Sequence, residues 1–175
     1  MAAVRKIVFA VLLVMLVSGC CVRFEDVAPG TQFAVGQTFY TSGTNLAVER
    51  FQWANGNWTT DGKARIDAGT RAGGTGREIN ANNVNLRFKF DYPLKKIALK
   101  FAELGGNNNV MVNGDFRNVG NLVALNGTTL GGVAVTVTAT QQGNNWRGVI
   151  VLDGAIREFS IGGQELWLDD ICPTK

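Results

Sequence analysis

Val84-Asn85-Leu86-Arg87-Phe88-Lys89-Phe90 alternates apolar and polar side chains without a break. Successive side chains of an extended strand point to opposite faces, so Val84, Leu86, Phe88 and Phe90 fall on one side and Asn85, Arg87 and Lys89 on the other. Such a strand covers a core with one face and meets water with the other, the habit of antiparallel sheets. Outward from it, further short runs rich in β-branched and aromatic residues occupy 21–27, 45–53, 110–113, 133–138, 147–152, 156–161 and 165–171. Turn-forming pairs punctuate them: Asn55-Gly56, Asn113-Gly114, Asn126-Gly127, Gly131-Gly132 and Gly162-Gly163. Short strands separated by such turns predict an all-β sandwich or barrel.

The segment 94–104 reads two ways. Leu94, Ile97, Ala98, Phe101 and Leu104 fit a helical stripe, with Pro93 before it and Gly105 after it. Ile97, Leu99 and Phe101 fit a strand equally well. A strand is the assignment consistent with strands on both sides.

The first twenty residues form a different kind of segment. Arg5 and Lys6 lead into the apolar run Ile7 to Val17, followed by Ser18, Gly19 and Cys20. Charge, apolar core and small residues in that order are the layout of a secretory signal peptide. The run would reach about 16 Å as a helix, against a hydrocarbon core of about 30 Å, which is short for a permanent span. Val17-Ser18-Gly19-Cys20 resembles a bacterial lipobox. The resemblance implies a lipoprotein signal peptide over residues 1–19, acylation of Cys20, membrane attachment through that lipid, and an exported cell-envelope protein. In a Gram-negative host, the absence of Asp at position 21 favours the outer membrane. An ordinary cleaved signal peptide is the alternative.

Removing residues 1–19 leaves 20–175, long enough for one domain with its own core. Of 17 basic residues, Arg5 and Lys6 depart with the signal, leaving 15 against 14 acidic ones. That balance argues against nucleic acid, which demands a concentrated basic surface. The chain has no histidine, which removes Ser-His-Asp and Cys-His catalysis and the usual zinc sites. With Cys20 assigned to lipid, Cys21 and Cys172 remain, one near each end of the domain. An exported compartment permits a disulfide between them. Cys20–Cys172 pairing and two unpaired thiols are the alternatives.

Three stretches resemble one bacterial exported family of jelly-roll sandwiches, galactose-binding-like in shape. They are Cys21-Val22-Arg23-Phe24-Glu25-Asp26, Asn82-Asn83-Val84-Asn85-Leu86-Arg87-Phe88, and Ile161-Gly162-Gly163-Gln164-Glu165-Leu166-Trp167-Leu168-Asp169-Asp170-Ile171-Cys172. The resemblance implies a single jelly-roll-type antiparallel β-sandwich behind the signal-peptide helix, and implies no activity. If the terminal strands pair antiparallel with Cys21 opposite Cys172, Arg23 faces Asp170 as an opposite-charge pair. The adjacent Asp169 and Asp170 then call for a bulge.

Candidate chemistry is sparse. Trp53 and Trp58 bracket Ala54-Asn55-Gly56-Asn57. A two-residue type I′ turn at Asn55-Gly56 would set Trp53 opposite Trp58 on one face. Such a pair is either a platform for a sugar ring, with Asn57, Asp61, Arg65, Thr59 and Lys63 as polar neighbours, or a cross-strand pair that stabilises its own hairpin. Glu25, Asp26, Asp169 and Asp170 are candidates for a structural calcium ion, with salt bridges as the alternative; no cofactor is required. Glu165 and Asp169 lie about 13 Å apart along one strand, too far for a glycosidase pair, so the third reading, a hydrolase, needs a partner carboxylate from another strand. The glycine-rich stretch 69–77 lacks the Gly-Lys-Ser/Thr ending of a phosphate loop; Arg71 and Arg77 there are candidates for an anionic glycan, with a solvated loop as the alternative. These features point to a non-catalytic carbohydrate- or envelope-binding module. The alternative is a structural or protein-interaction lipoprotein without a small-molecule ligand.

Overall fold

Apolar side chains at every second position make each strand half-buried, and the chain satisfies them by closing two antiparallel sheets over a common core. A computed structural model describes residues 21–175. In chain order the strands are β1 (Gln32–Ala34), β2 (Thr38–Thr41), β3 (Thr44–Arg50), β4 (Lys63–Ala68), β5 (Arg77–Asn82), β6 (Val84–Lys89), β7 (Leu94–Glu103), β8 (Asn108–Val112), β9 (Asp115–Val119), β10 (Thr129–Leu130), β11 (Val133–Gln142), β12 (Asn145–Ile156), β13 (Phe159–Gly163) and β14 (Leu166–Thr174). A short 3-10 turn lies at Leu122–Leu125. One sheet has the order β1-β4-β5-β14-β7-β12-β11-β10 and the other β2-β3-β6-β13-β8-β9. The result is a two-sheet antiparallel sandwich of jelly-roll-like form.

The alternating segment becomes β6, with Val84, Leu86 and Phe88 buried and Lys89 exposed. It packs with Leu46, Val48, Val110 and Ile161 of its own sheet against Ile66, Ile97, Phe101 and Leu168 of the other. Each such side chain contributes about 1.5–3 kcal/mol on burial. The ambiguous segment is a strand, β7, paired with both β12 and β14. Asn113 and Gly114 both have positive φ, 50° and 84°, as a type I′ turn requires, and they join β8 to β9.

Two local expectations change. Residues 21–27 do not form a strand: Val22 makes an isolated bridge with Ile171, and the chain then turns at Phe24, whose φ is 63°. That turn drives the Phe24 ring into the core, where it is fully buried. Gly162-Gly163 is not a turn but the end of β13. A Cβ at Gly162 would collide with the Val84 carbonyl oxygen, so glycine is what lets β13 and β6 approach.

The chain ends meet as the terminal register requires. Val22 faces Ile171, Arg23 Nε lies 2.8 Å from Asp170 Oδ1, and Cys21 is disulfide-bonded to Cys172 across 151 residues. The bulge falls between Asp169 and Cys172, with Asp170 at a φ of 46°. This disulfide corrects the lipid-anchored reading. Cys21 and Cys172 consume each other, so among the described residues no thiol is free for acylation. Nor is any helix among them long and apolar enough to cross a membrane. Cys20 and the signal peptide of residues 1–19 lie outside the described residues. The lipoprotein, its membrane partner and its outer-membrane location are therefore not retained.

At the end of β7 the alternation delivers a carboxylate into the interior. Glu103 is buried, and its Oε2 accepts hydrogen bonds from Asn108 Nδ2 at 2.7 Å and the Leu122 amide at 3.0 Å. Its Oε1 has no partner. Burial outweighs these hydrogen bonds and raises its pKa from 4.5 to about 7.

Two outcomes follow from closure and from this buried acid. Serine at both Cys21 and Cys172 is expected to cost up to about 5 kcal/mol in the chain-entropy limit, lowering the melting temperature by about 10 °C or more. Calorimetry with and without reductant measures it. For Glu103, the folded state holds a proton that the unfolded chain releases near pH 4.5. Its stabilising effect is thus fully present below that pH and is lost as pH rises through about 7, a change of up to about 3 kcal/mol. The melting temperature should fall from pH 5 to pH 8, and Glu103→Gln should flatten that slope.

Candidate functional site

The hairpin carrying both tryptophans closes differently from a two-residue turn, and the difference decides what each indole does. A type I′ turn needs positive φ at Asn55 and Gly56, yet of the two only Gly56 has it, at 86°. The Trp53 amide donates to the Asn57 carbonyl at 2.8 Å, and the Gly56 amide donates to the Trp53 carbonyl at 2.9 Å. This is a three-residue loop with a glycine bulge. Trp58 therefore opposes Gln52 rather than Trp53. A one-residue shift sends a side chain to the other face, so the indoles part. Trp53 turns its edge to the buried Phe51, ring centroids 5.4 Å apart at 87°. Trp58 remains 50% exposed and lies beside Phe116 of β9, 6.0 Å away at a tilt of 39°.

Hydrogen bonds fasten the hairpin to the six-stranded sheet. Asn118 Nδ2 and Asn107 Nδ2 donate to the Gln52 carbonyl at 2.6 and 3.2 Å. Thr59 Oγ1 accepts from the Phe51 amide and donates to the Asn83 carbonyl. Trp58 is thus held over the sheet's outer face. Beneath it, cross-strand register brings together Glu49 with Asn85, and Arg87 with Ser160, Met111 and Phe116 in one row. These residues and Trp58 line a groove of about 330 Å³. Arg87 Nε donates to Glu49 Oε1 at 2.6 Å. Asn85 Nδ2 donates to the Arg50 carbonyl, while its Oδ1, like Nδ2 of the neighbouring Asn109, is buried without a partner.

The remaining candidates lie elsewhere. Asn57 is exposed on the hairpin loop. Asp61 and Arg65, with Lys63, Asn80 and Glu165, line a separate polar groove of about 570 Å³ on the eight-stranded sheet. Arg65 is ion-paired to Asp67 there at 2.6 Å. The structure therefore divides the proposed ligand set of Trp53, Trp58, Asn57, Asp61 and Arg65 between two sheets. Phe116, Met111, Arg87 and Glu49 come from four different strands and have no common mark in the sequence; an aromatic between Asp115 and Arg117 on an edge strand is the one local signal.

The four carboxylates considered for calcium have separate partners. Glu25 Oε1 accepts from the Arg77 amide at 2.7 Å. Asp26 takes hydrogen bonds from Thr41 and from the Ser42 amide, which hold its pKa below the usual value against the upward push of burial. Burial is likewise outweighed at Asp170, where Lys100 and Arg23 lower the pKa. Asp169 is fully buried under Gly74, and burial raises its pKa to about 6. Among the described residues no three acidic or cysteine side chains gather as metal ligands. The glycine-rich stretch is not a loose loop either: Glu78 accepts from the amides of Arg71 and Ala72 at 3.0 and 2.8 Å, and Arg77 bonds to the carbonyls of Glu25 and Val27.

Compared with protein-family models, with curated proteins and with solved structures, the chain shows no match to any. The Cys21–Cys172 disulfide has already overturned the lipobox reading, the comparisons lend the exported jelly-roll family no support, and the all-β sandwich with its internal disulfide stands on the geometry alone.

Burial makes a simple forecast. Trp58→Ala should change stability by less than about 1 kcal/mol, because the ring is half in water, whereas Phe51→Ala should cost about 3–5 kcal/mol. Urea unfolding of the two variants gives both values.

Proposed function

We propose that this domain is a non-catalytic binding module whose ligand is a carbohydrate, taken on the outer face of the six-stranded sheet. The observation that carries the reading is Trp58, a half-exposed indole immobilised beside Phe116 over a polar floor. An aromatic face packs against the C–H side of a sugar ring, and an indole offers the largest such area. Around it, Glu49 accepts hydroxyl hydrogens, Arg87 donates, and Asn85 and Ser160 supply both functions. A groove with a few convergent polar groups is the ordinary form of a small-ligand site. The non-catalytic part rests on the absence of histidine and on the two carboxyls with strongly raised pKa, Glu103 and Asp169, being buried away from this groove.

A second reading has its own observation. Tyr40, 62% exposed, shares this outer face, since it pairs with Asn45, which pairs with Lys89. Two exposed aromatics on one face also fit a protein-contact surface.

A glycan array probed with the full chain and with Trp58→Ala separates the readings. Saturable binding, weakened about tenfold in the variant, is the outcome expected of sugar–indole stacking worth about 1.4 kcal/mol. A folded protein that binds no glycan overturns it in favour of a protein-contact role.

A further inference from the structure

The outer face of the eight-stranded sheet carries two arginines held in an unusual way. Arg23, Arg65, Arg87 and Arg117 each pair with a carboxylate. Arg71 and Arg147 have no ion-pair partner among the described residues, yet neither side chain is left loose. The Arg71 guanidinium lies 4.5 Å from the centroid of the Trp167 ring. Its backbone is pinned by Glu78. The Arg147 guanidinium packs on Gly73, so close that a Cβ there would sit 3.0 Å from Nη2 and 3.1 Å from Nε. Register sets the spacing between them: Trp167 faces Ala102, and Ala102 faces Arg147. Two inter-strand steps amount to about 10 Å. The small Ala102 between them leaves a hollow of about 260 Å³, rimmed by Leu104, Gln142 and Trp146.

Nearby acids do not neutralise the pair. Glu103, which also lines the hollow, is buried with its carboxylate turned to Asn108 and the Leu122 amide. Glu78 is turned into the loop amides, Asp67 accepts from Arg65 and from Trp167 Nε1, and Asp169 is sealed beneath Gly74. Stacking restrains each guanidinium while leaving donors of its planar fork to reach an incoming oxyanion. We propose that this hollow is a second binding site, which takes a carboxylate or sulfate group of an acidic polysaccharide between Arg71 and Arg147. It lies on the sheet opposite Trp58 and does not depend on the reading of that face.

Titration of the full chain at low salt with polygalacturonate, dextran sulfate and neutral dextran tests it, the first two separating carboxylate from sulfate. Saturable binding of at least one polyanion and none of neutral dextran is expected. Arg71→Gln and Arg147→Gln should each weaken it about tenfold, a charge-assisted bond's worth. Ala102→Leu, which fills the hollow and keeps both charges, should do the same, and Trp58→Ala should leave it intact. Arg147→Lys should also weaken it, because lysine keeps the charge but loses the fork. With native melting curves, the proposal is overturned if no polyanion binds, if the glutamine or leucine variants bind like the parent, or if Arg147→Lys is indistinguishable from it.

Discussion

Insertion of β14 between β5 and β7 is the pairing on which the remaining architecture rests. Without it the eight-stranded sheet is two pieces, β1-β4-β5 and β7-β12-β11-β10, each with an open edge. Unpaired edges leave a row of backbone donors and acceptors unsatisfied. The strand that closes this gap is the last of the fourteen, so the sheet is complete only once β14 is in place. Val22 then bridges to Ile171 and Cys21 bonds to Cys172, tying the start of the domain to its end. The same strand presents Trp167 and Asp169 to the segment 69–77, whose Ala72 buries against Trp167 and Ala102. One pairing thus completes the core on one side and seats a surface loop on the other.

The two outer faces differ because their coverings differ. On the six-stranded sheet the Trp53–Trp58 hairpin is fastened at its base by Asn107, Asn118 and Thr59, and its far side projects the Trp58 indole over open sheet. On the eight-stranded sheet the glycine-rich segment lies flat, and Glu78 and Asn80 are buried although they belong to outward positions of β5. Glycines at 73 and 74 permit that close approach, since any side chain would meet Arg147 or Asp169. A solvated glycine loop and a packed one look alike in composition; the carboxylate of Glu78 that gathers the loop amides makes this one packed.

Much of the fold could be read directly. The alternation in β6, the choice of strand for β7, the pairing of Arg23 with Asp170 and the bulge beside Asp170 all follow from local periodicity and a terminal register. Strands β4 and β5 carry a weak local signal because their outer faces hold Lys63, Arg65, Glu78 and Asn80 in sequences whose apolar halves, Ala64, Ile66, Ile79 and Ala81, are small or few. The Trp53–Trp58 register is hidden from the sequence for a different reason. Asn-Gly serves two turn types, and which one forms depends on how the hairpin base is held, one residue of register being enough to send Trp58 to the other face.

By itself the sequence determined the class of structure, because side-chain alternation and turn residues act over a few neighbouring positions and need no distant partner. It likewise placed Cys21 and Cys172 where closure can join them, and it determined that histidine chemistry is absent. Only the tertiary structure decided which side chains share a surface. Trp58 meets Phe116, and Arg71 comes within reach of Arg147, through strand order and register. Those are set by the packing of the whole core, and no stretch of the chain encodes them locally.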